Sequence, residues 1–243
     1  MKIIISNLSK VFNDGTRALN NVNLVIESGM FGLLGPNASG KTSLMRILAT
    51  LSKPTAGTVM IDDMDLQKNR ALIRSITGYL PQSFSMFTRI TTWEFLDYTA
   101  RLAGLHNSRT RKEAIEDMLE SLGLFKYRNH FTNELSVVMK RHLEIAQAVI
   151  GNPRILIVDE PTVGLSPEER LRFKKLLADR INTINIIILS THILSDISSS
   201  CKEIAILDKG EVVYHGSPDN MFEQGRGYTW LYENKDGRKL KEP

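Results

Sequence analysis

The sequence predicts an α/β fold: a mostly parallel sheet with helices on both faces, an N-terminal antiparallel β portion, and an inserted α-helical lobe. Three observations carry this prediction. Ile155-Leu156-Ile157-Val158 and the run from Ile184 to Leu189 are apolar without alternation, as expected for parallel strands covered on both faces. The first sixty residues instead alternate and carry turn residues such as Asn13-Asp14-Gly15, which suits an antiparallel hairpin. Residues 83–150 hold three helical patterns and no convincing strand.

In chain order, apolar runs with β-branched residues place strands at 2–5, 22–26, 57–61, 154–158, 184–189 and 203–207, with a final strand pattern from Glu211 to Gly216. Helical periodicity falls at about 41–50, 93–103, 110–121, 136–150 and 167–180. The 243 residues suit one large α/β unit. The expected division is a single domain over 1–223, with core segments near 1–82 and 152–223 and a helical lobe near 83–151. The C-terminal tail is expected at 224–243, and its last stretch, Asn234 to Pro243, reads as a frayed, solvated end.

Composition narrows the class. At 42% hydrophobic and 24% charged residues the chain is not disordered as a whole. The net charge of +4 is too small to demand a nucleic acid or an anionic membrane as partner. The single cysteine, Cys201, excludes an internal disulfide framework and a cysteine-built zinc site. No stretch approaches the ~18 apolar residues of a membrane span, and the N-terminus lacks a signal-peptide core. The expectation is an intracellular protein, soluble by itself.

The strongest motif is Gly35-Pro36-Asn37-Ala38-Ser39-Gly40-Lys41-Thr42, which fits G-x-x-x-x-G-K-[ST]. It follows the apolar Phe31-Gly32-Leu33-Leu34 and precedes the helical Ser43-Leu44-Met45-Arg46-Ile47-Leu48, the strand–loop–helix setting such a phosphate loop needs. Glycines let successive N–H groups turn toward phosphate oxygens, and the helix N-terminus adds partial positive charge. Lys41 is expected to reach the β- and γ-phosphates, and Thr42 to give a hydroxyl oxygen to Mg²⁺. A match of this kind arises by chance in about one chain of this length in a hundred. A second motif supports it. Ile155 to Val158 is a buried-type strand that ends in Asp159-Glu160, and ligands of such sheets gather at the carboxyl ends of strands. Asp159 is placed to hold Mg²⁺, and Glu160 to orient or deprotonate an attacking water.

With both motifs in this order, the chain resembles the ATP-binding cassette (ABC) ATPases, the nucleotide-binding subunits of ATP-driven transporters. The resemblance covers about residues 2–223 and implies a P-loop ATPase core that binds ATP and Mg²⁺. It extends to Phe12, matching the aromatic residue that stacks on adenine. It includes Gln82 in Tyr79-Leu80-Pro81-Gln82, matching the glutamine that joins core to helical lobe and senses Mg²⁺. It also includes His192 in Leu189-Ser190-Thr191-His192, matching the switch histidine that contacts the γ-phosphate. Taken singly, Phe12 reads as core, Gln82 as a turn residue and His192 as a satisfied histidine at a helix start; their joint placement promotes them. The resemblance further implies head-to-tail dimers, in which each ATP lies between one subunit's phosphate loop and the other's signature segment, usually L-S-G-G-Q at a helix start.

Two segments depart from the family pattern. The signature reads Leu135-Ser136-Val137-Val138-Met139. Ser136 still suits a helix N-cap and phosphate contact, but two β-branched residues replace glycines where backbone approaches a phosphate. The loop usually reading G-L-D-P is Gly164-Leu165-Ser166-Pro167. Residues acting on the chain's own ATP are thus intact, and those serving a partner's ATP are altered. A homodimer with two flawed sites and a heterodimer with one good site both remain open, with a subunit that is a weak ATPase in isolation. The resemblance implies transmembrane permease subunits as partners, no nucleic acid, and a peripheral position on the cytoplasmic face of the membrane. The wording is closest to bacterial export subunits; the segment with Trp93, Phe95, Leu96, Tyr98 and Leu102 matches the groove for a membrane subunit's coupling helix. The alternative is a non-transport ABC ATPase, or a regulatory nucleotide-binding module with little hydrolysis.

Overall fold

The computed structural model describes residues 1–82, 89–161, 168–170, 184–193 and 200–225. Two sheets form the frame. The first is antiparallel, in the order β2-β1-β4-β5, built from β1 (Ile3–Val11), β2 (Arg17–Ile26), β4 (Ala56–Ile61) and β5 (Met64–Asp65). The turn at Asn13-Asp14-Gly15 does connect β1 to β2; the Phe12 N–H donates to the Thr16 carbonyl and Gly15 takes a positive φ. The second sheet runs β10-β9-β3-β8-β7-β6. Its members are β3 (Gly29–Leu34), β6 (Thr77–Leu80), β7 (Ile155–Asp159), β8 (Ile186–Thr191), β9 (Glu203–Asp208) and β10 (Glu211–Gly216). All its pairings are parallel except the β9–β10 hairpin at one edge.

The unalternating strands are explained by two hydrophobic cores on opposite faces of this sheet. Phe31, Leu33, Ile155, Ile157, Ile186 and Ile188 point to the core shared with the antiparallel sheet and α1 (Lys41–Leu48). Their neighbours Met30, Leu34, Leu156, Val158, Ile187 and Leu189 point to the other core. That second core is closed by α3 (Thr92–Leu102), α4 (Ser108–Ser121) and α5 (Val137–Val149), through side chains such as Phe95, Leu119 and Leu143. Period-2 geometry sends successive side chains to opposite faces, so both sets must be apolar.

The three helices that join β6 to β7 fall where periodicity predicted them, within two residues at each end. Their starts are capped. Thr91 and Glu94 form a reciprocal capping box on α3, Asn107 accepts from Arg109 and Thr110 on α4, and Ser136 accepts from the Met139 N–H on α5. The Arg111 guanidinium is buried between Asp97 and the carbonyls of Leu105 and His106, which ties α4 to α3.

Several elements differ from the expectation. β1 and β2 are longer, because residues 6–11 and 17–21 pair with each other through bulges. The short α2 (Arg70–Ser75) and β6 escape periodicity: β6 has four residues, too few for a pattern. Gly78 within it is required by packing, since a Cβ there would collide with the Ala148 carbonyl of α5. Of the helix expected at 167–180, residues 168–170 are helical and the remainder lies outside the described residues. After β10, α6 spans Pro218–Gly225; the tail beyond 225 also lies outside them. Among the described residues, no helix is long and apolar enough to cross a membrane.

Candidate functional site

The loop between β3 and α1 is shaped by contacts that only glycine permits. Gly35 and Gly40 have positive φ, and a Cβ on Gly35 would strike the Leu207 carbonyl while one on Gly40 would strike that of Ala18. The Gly210 N–H, in the β9–β10 turn, donates to the Ser39 carbonyl at 2.9 Å. The loop is therefore seated on β2 and β9 and cannot open outward without losing these contacts. α1 begins at Lys41 with no acidic residue in its first turn, so its positive end is not offset from within the helix.

Around this loop lies a cavity of about 420 Å³. Phe12, Arg17, Gln82 and Glu160 line it together with the loop from Asn37 to Ser43, so Ala38, Ser39, Gly40, Lys41 and Thr42 all face it. Gly35 and Pro36 lie just behind, where their carbonyls accept from the Lys41 ammonium at 2.7 and 3.0 Å. Phe12 is half exposed at the rim, with the Lys10 ammonium 5.3 Å from its ring centroid.

The carboxylates sit at the end of β7, as a parallel sheet requires. Glu160 is buried, in the left-handed backbone region at φ 47. Its carboxylate bridges two of the predicted residues: Oε1 is 3.3 Å from Lys41 Nζ, and Oε2 is 2.8 Å from His192 Nδ1. Asp159 is fully buried; Oδ1 accepts from the Ser190 hydroxyl, while Oδ2 has no hydrogen-bond partner. Ser39 Oγ is likewise buried without a partner. The buried negative charge reaches beyond the cavity. Burial, then the charge of Asp159, pushes the Tyr79 phenol up to about 12, with Arg46 opposing.

The fold thus brings together Phe12, the phosphate loop, Gln82 and Glu160 at one cavity. Asp159 and His192 do not line it; they join it through Ser190 and Glu160. Ser136 lies apart, at the N-terminus of α5. Leu135 before it is buried, Val137 after it is 76% exposed, and Val138 and Met139 are half buried. Gly164 to Pro167, the second departure, lie outside the described residues.

Two side chains that the sequence reading passed over belong here. Ser190 holds the Asp159 carboxylate and the Glu160 backbone N–H, and its one signal was a hydroxyl residue closing an apolar strand just before His192. Arg141 of α5 donates from Nε to the Pro161 carbonyl, at 3.2 Å, while pairing with Glu144. It thereby links the α5 helix to the residue after Glu160, a contact over 20 positions that no local pattern announces.

The donor set fits a nucleotide and its magnesium ion. Orphaned oxygens on Asp159 and Ser39 and a glycine-shaped cradle are what a polyphosphate with Mg²⁺ would satisfy. Among the described residues no three carboxylate, histidine or cysteine side chains form a metal cage. Mg²⁺ needs none, since it keeps several waters and takes phosphate oxygens beside one or two protein ligands.

The family model for ABC transporters matches residues 19–163, from the start of the cradle's support through both carboxylates. The chain belongs to the ABC transporter family. It is 31% identical over 235 residues to the ABC transporter ATP-binding protein NatA of Bacillus subtilis (strain 168), covering 95% of each chain. It is 33% identical over 236 residues to the methionine import ATP-binding protein MetN 1 of Bacillus thuringiensis subsp. konkukian (strain 97-27), covering 93% of this chain and 69% of that one. Among solved structures, an ATP-binding subunit of an ABC transporter superposes with a TM-score of 0.83 over 94% of this chain and 96% of the other; at 24% identity this speaks to fold. The ATP-binding cassette MJ0796, solved as a dimer in a post-hydrolysis state with ADP and Pi, superposes with a TM-score of 0.80 at 26% identity over 89% of this chain and 98% of that one. The family membership makes this ABC subunit an ATP-binding ATPase.

Proposed function

We propose that this ABC subunit binds MgATP in the cavity around Lys41 and hydrolyses it to drive transport through separate transmembrane subunits, in the direction of export. The observation that carries the reading is the convergence of Lys41, Thr42, Gln82 and Glu160 on one cavity beside a buried, half-satisfied Asp159. In this reading Phe12 stacks on the base. The backbone of Gly35 to Ser43 and the Lys41 ammonium hold the phosphates. Thr42, Gln82 and Asp159 supply oxygens to Mg²⁺, which when bound neutralises phosphate charge. Glu160 orients or deprotonates the attacking water. His192, held by Glu160, is the neighbour that contacts the γ-phosphate. Ser136 and the α5 N-terminus serve the ATP of a second ABC subunit, identical or different. The subunit works peripherally at the cytoplasmic face of the membrane, as one domain whose helical lobe is carried by α3 to α5.

Export is the finer claim. It is supported by the resemblance of the sequence to bacterial export subunits; the likeness to the methionine import protein MetN 1 keeps import as the rival. Co-purification from membranes of the native host, with every retained chain identified, tests the whole reading. The expected result is membrane-spanning chains held in fixed ratio with this subunit. Retention of an extracytoplasmic solute-binding protein would overturn export. Retention of ribosomal or DNA-bound chains without a membrane chain would overturn transport.

A further inference from the structure

We infer that Ser190 is a positioning residue of the nucleotide site: its hydroxyl fixes the rotation of the Asp159 carboxylate and the backbone of Glu160 at once. The inference rests on the reading of the cavity as a MgATP site. β7 and β8 run parallel with Asp159 directly beside Ser190, so their side chains stand on the same face at neighbouring positions. Ser190 is completely buried. Its hydroxyl donates to Asp159 Oδ1 and accepts from the Glu160 N–H, at 2.5 and 2.9 Å. The Ser190 carbonyl accepts from that same N–H at 3.2 Å.

Each bond has a consequence. A carboxylate turns freely about its last torsion unless one oxygen is tied. With Oδ1 tied to Ser190, Asp159 presents Oδ2, the oxygen that has no protein partner. An oxygen kept free in a fully buried position costs free energy unless a cation or water takes it, so the serine selects the metal-facing geometry. Glu160 adopts φ 47, unfavourable for a residue with a Cβ. Two acceptors on one residue hold its N–H there, and that backbone aims the Glu160 carboxylate back at Lys41 and His192. One hydroxyl thus ties the magnesium side of the site to the water side. Alanine would fit the same buried strand position but could do neither.

The test is a graded series, Ser190→Cys and Ser190→Ala, compared with the parental protein, Asp159→Asn and the double variant Ser190→Ala/Asp159→Asn. Mn²⁺ affinity in the presence of ADP is measured by electron paramagnetic resonance, and ATP affinity in chelator by calorimetry. A thiol is a weak donor and a methyl is none, so Mn²⁺ affinity should fall in the order Ser, Cys, Ala. The loss at Ala should be about tenfold or more, in the range for partners that orient a metal ligand. Metal-free ATP affinity should not move. Adding Ser190→Ala to Asp159→Asn should lose no more Mn²⁺ affinity, because the hydroxyl acts through that carboxylate. If Ser190→Ala does not fold, the Ser-to-Cys step decides. Unchanged Mn²⁺ affinity in folded variants, additive losses in the double variant, or an equal fall in metal-free ATP binding would each overturn the role. A parental protein that binds neither Mn²⁺ with ADP nor ATP would instead overturn the MgATP reading, and the inference with it.

Discussion

Two helix starts in this subunit do opposite things, and they begin from different backbone: the N-cap Gly40 of α1 is left-handed and the N-cap Ser136 of α5 is extended. α1 and α5 both present unsatisfied N–H groups and a positive end. At α1 the surroundings are closed. Lys41 is only 5% exposed, its ammonium is held by two carbonyls and Glu160, and glycines bring the chain within contact of β2 and β9. At α5 the surroundings are open. Ser136 spends its hydroxyl on its own helix, and the next side chain is an exposed valine. In the proposed reading, the contrast separates a site that works on the chain's own ligand from a face that a second subunit completes. A buried lysine requires counter-charges within the same chain; an exposed helix start does not. Arg141 bridges the two regions through the Pro161 carbonyl.

The largest effect should come from the closed region. Glu160→Gln keeps the shape and a hydrogen bond to His192 but removes the proposed base and the charged partner of Lys41. Hydrolysis should fall by roughly 10²-fold or more, the usual contribution of general acid–base catalysis, while ATP affinity stays near parental. Steady-state turnover beside equilibrium ATP binding checks this; parental turnover would mean that another base operates. Lys41→Ala should come next, and with the opposite signature. Losing charge-assisted bonds of about 1.5–3 kcal/mol lowers ATP affinity by roughly 10- to 100-fold. Calorimetry reads this directly, and unchanged affinity would remove the cavity as the site.

The closed region was also the more legible one. Gly35 to Thr42 and Asp159-Glu160 are local words, each spelled within eight residues on known flanking elements. The two-faced burial of β7 and β8 was readable because both cores draw on the same unbroken apolar run. The contacts that join distant segments were not readable. Ser190 meets Asp159 only because β7 and β8 are neighbours, and strand order is not written in any one strand. β6 was missed because four residues held by a parallel neighbour need no pattern of their own, and Gly78 looks like a breaker until the Ala148 carbonyl is seen above it. At α5 the sequence identified the altered positions; the structure adds that Val137 faces outward, so its crowding would be felt by a partner and not by this chain's core.

That difference makes the third experiment a test of the open region alone. Val137→Gly with Val138→Gly should raise the turnover of the purified subunit several-fold. In a Glu160→Gln background it should also strengthen ATP-dependent dimerisation. The glycines cost about 1 kcal/mol or less each in helix stability, and Val137 has little buried area to lose. Regained backbone contacts to a doubly charged phosphate are worth roughly 1.5–3 kcal/mol apiece. Gain should therefore exceed cost, with a slightly lower thermal midpoint as its mark. If the parental protein already equals the double variant in both assays, the two regions do not differ in function.

The smallest effect measures how enclosed the closed region is, and it is visible only in alkali. Tyr79 ionises near 12 in the folded chain against an ordinary value of 10.0, because burial and the Asp159 carboxylate both disfavour a phenolate. In the unfolded chain it ionises at its ordinary value. The folded value is raised, so the contribution to stability is fully present below about pH 10 and is lost as pH climbs toward 12, where only the unfolded state has shed the proton. Denaturant midpoints should fall across that window, and Tyr79→Phe should flatten part of the fall by removing the group that titrates. Asp159→Asn sharpens the assignment. It deletes the second cause and leaves the first, so phenolate absorbance should then appear at lower pH than in the parental protein, yet still above the ordinary value. If Asp159→Asn leaves the absorbance titration unchanged, the carboxylate's field does not extend to β6. The charge of Asp159 would then act on its immediate neighbours, such as the Ser190 hydroxyl, alone.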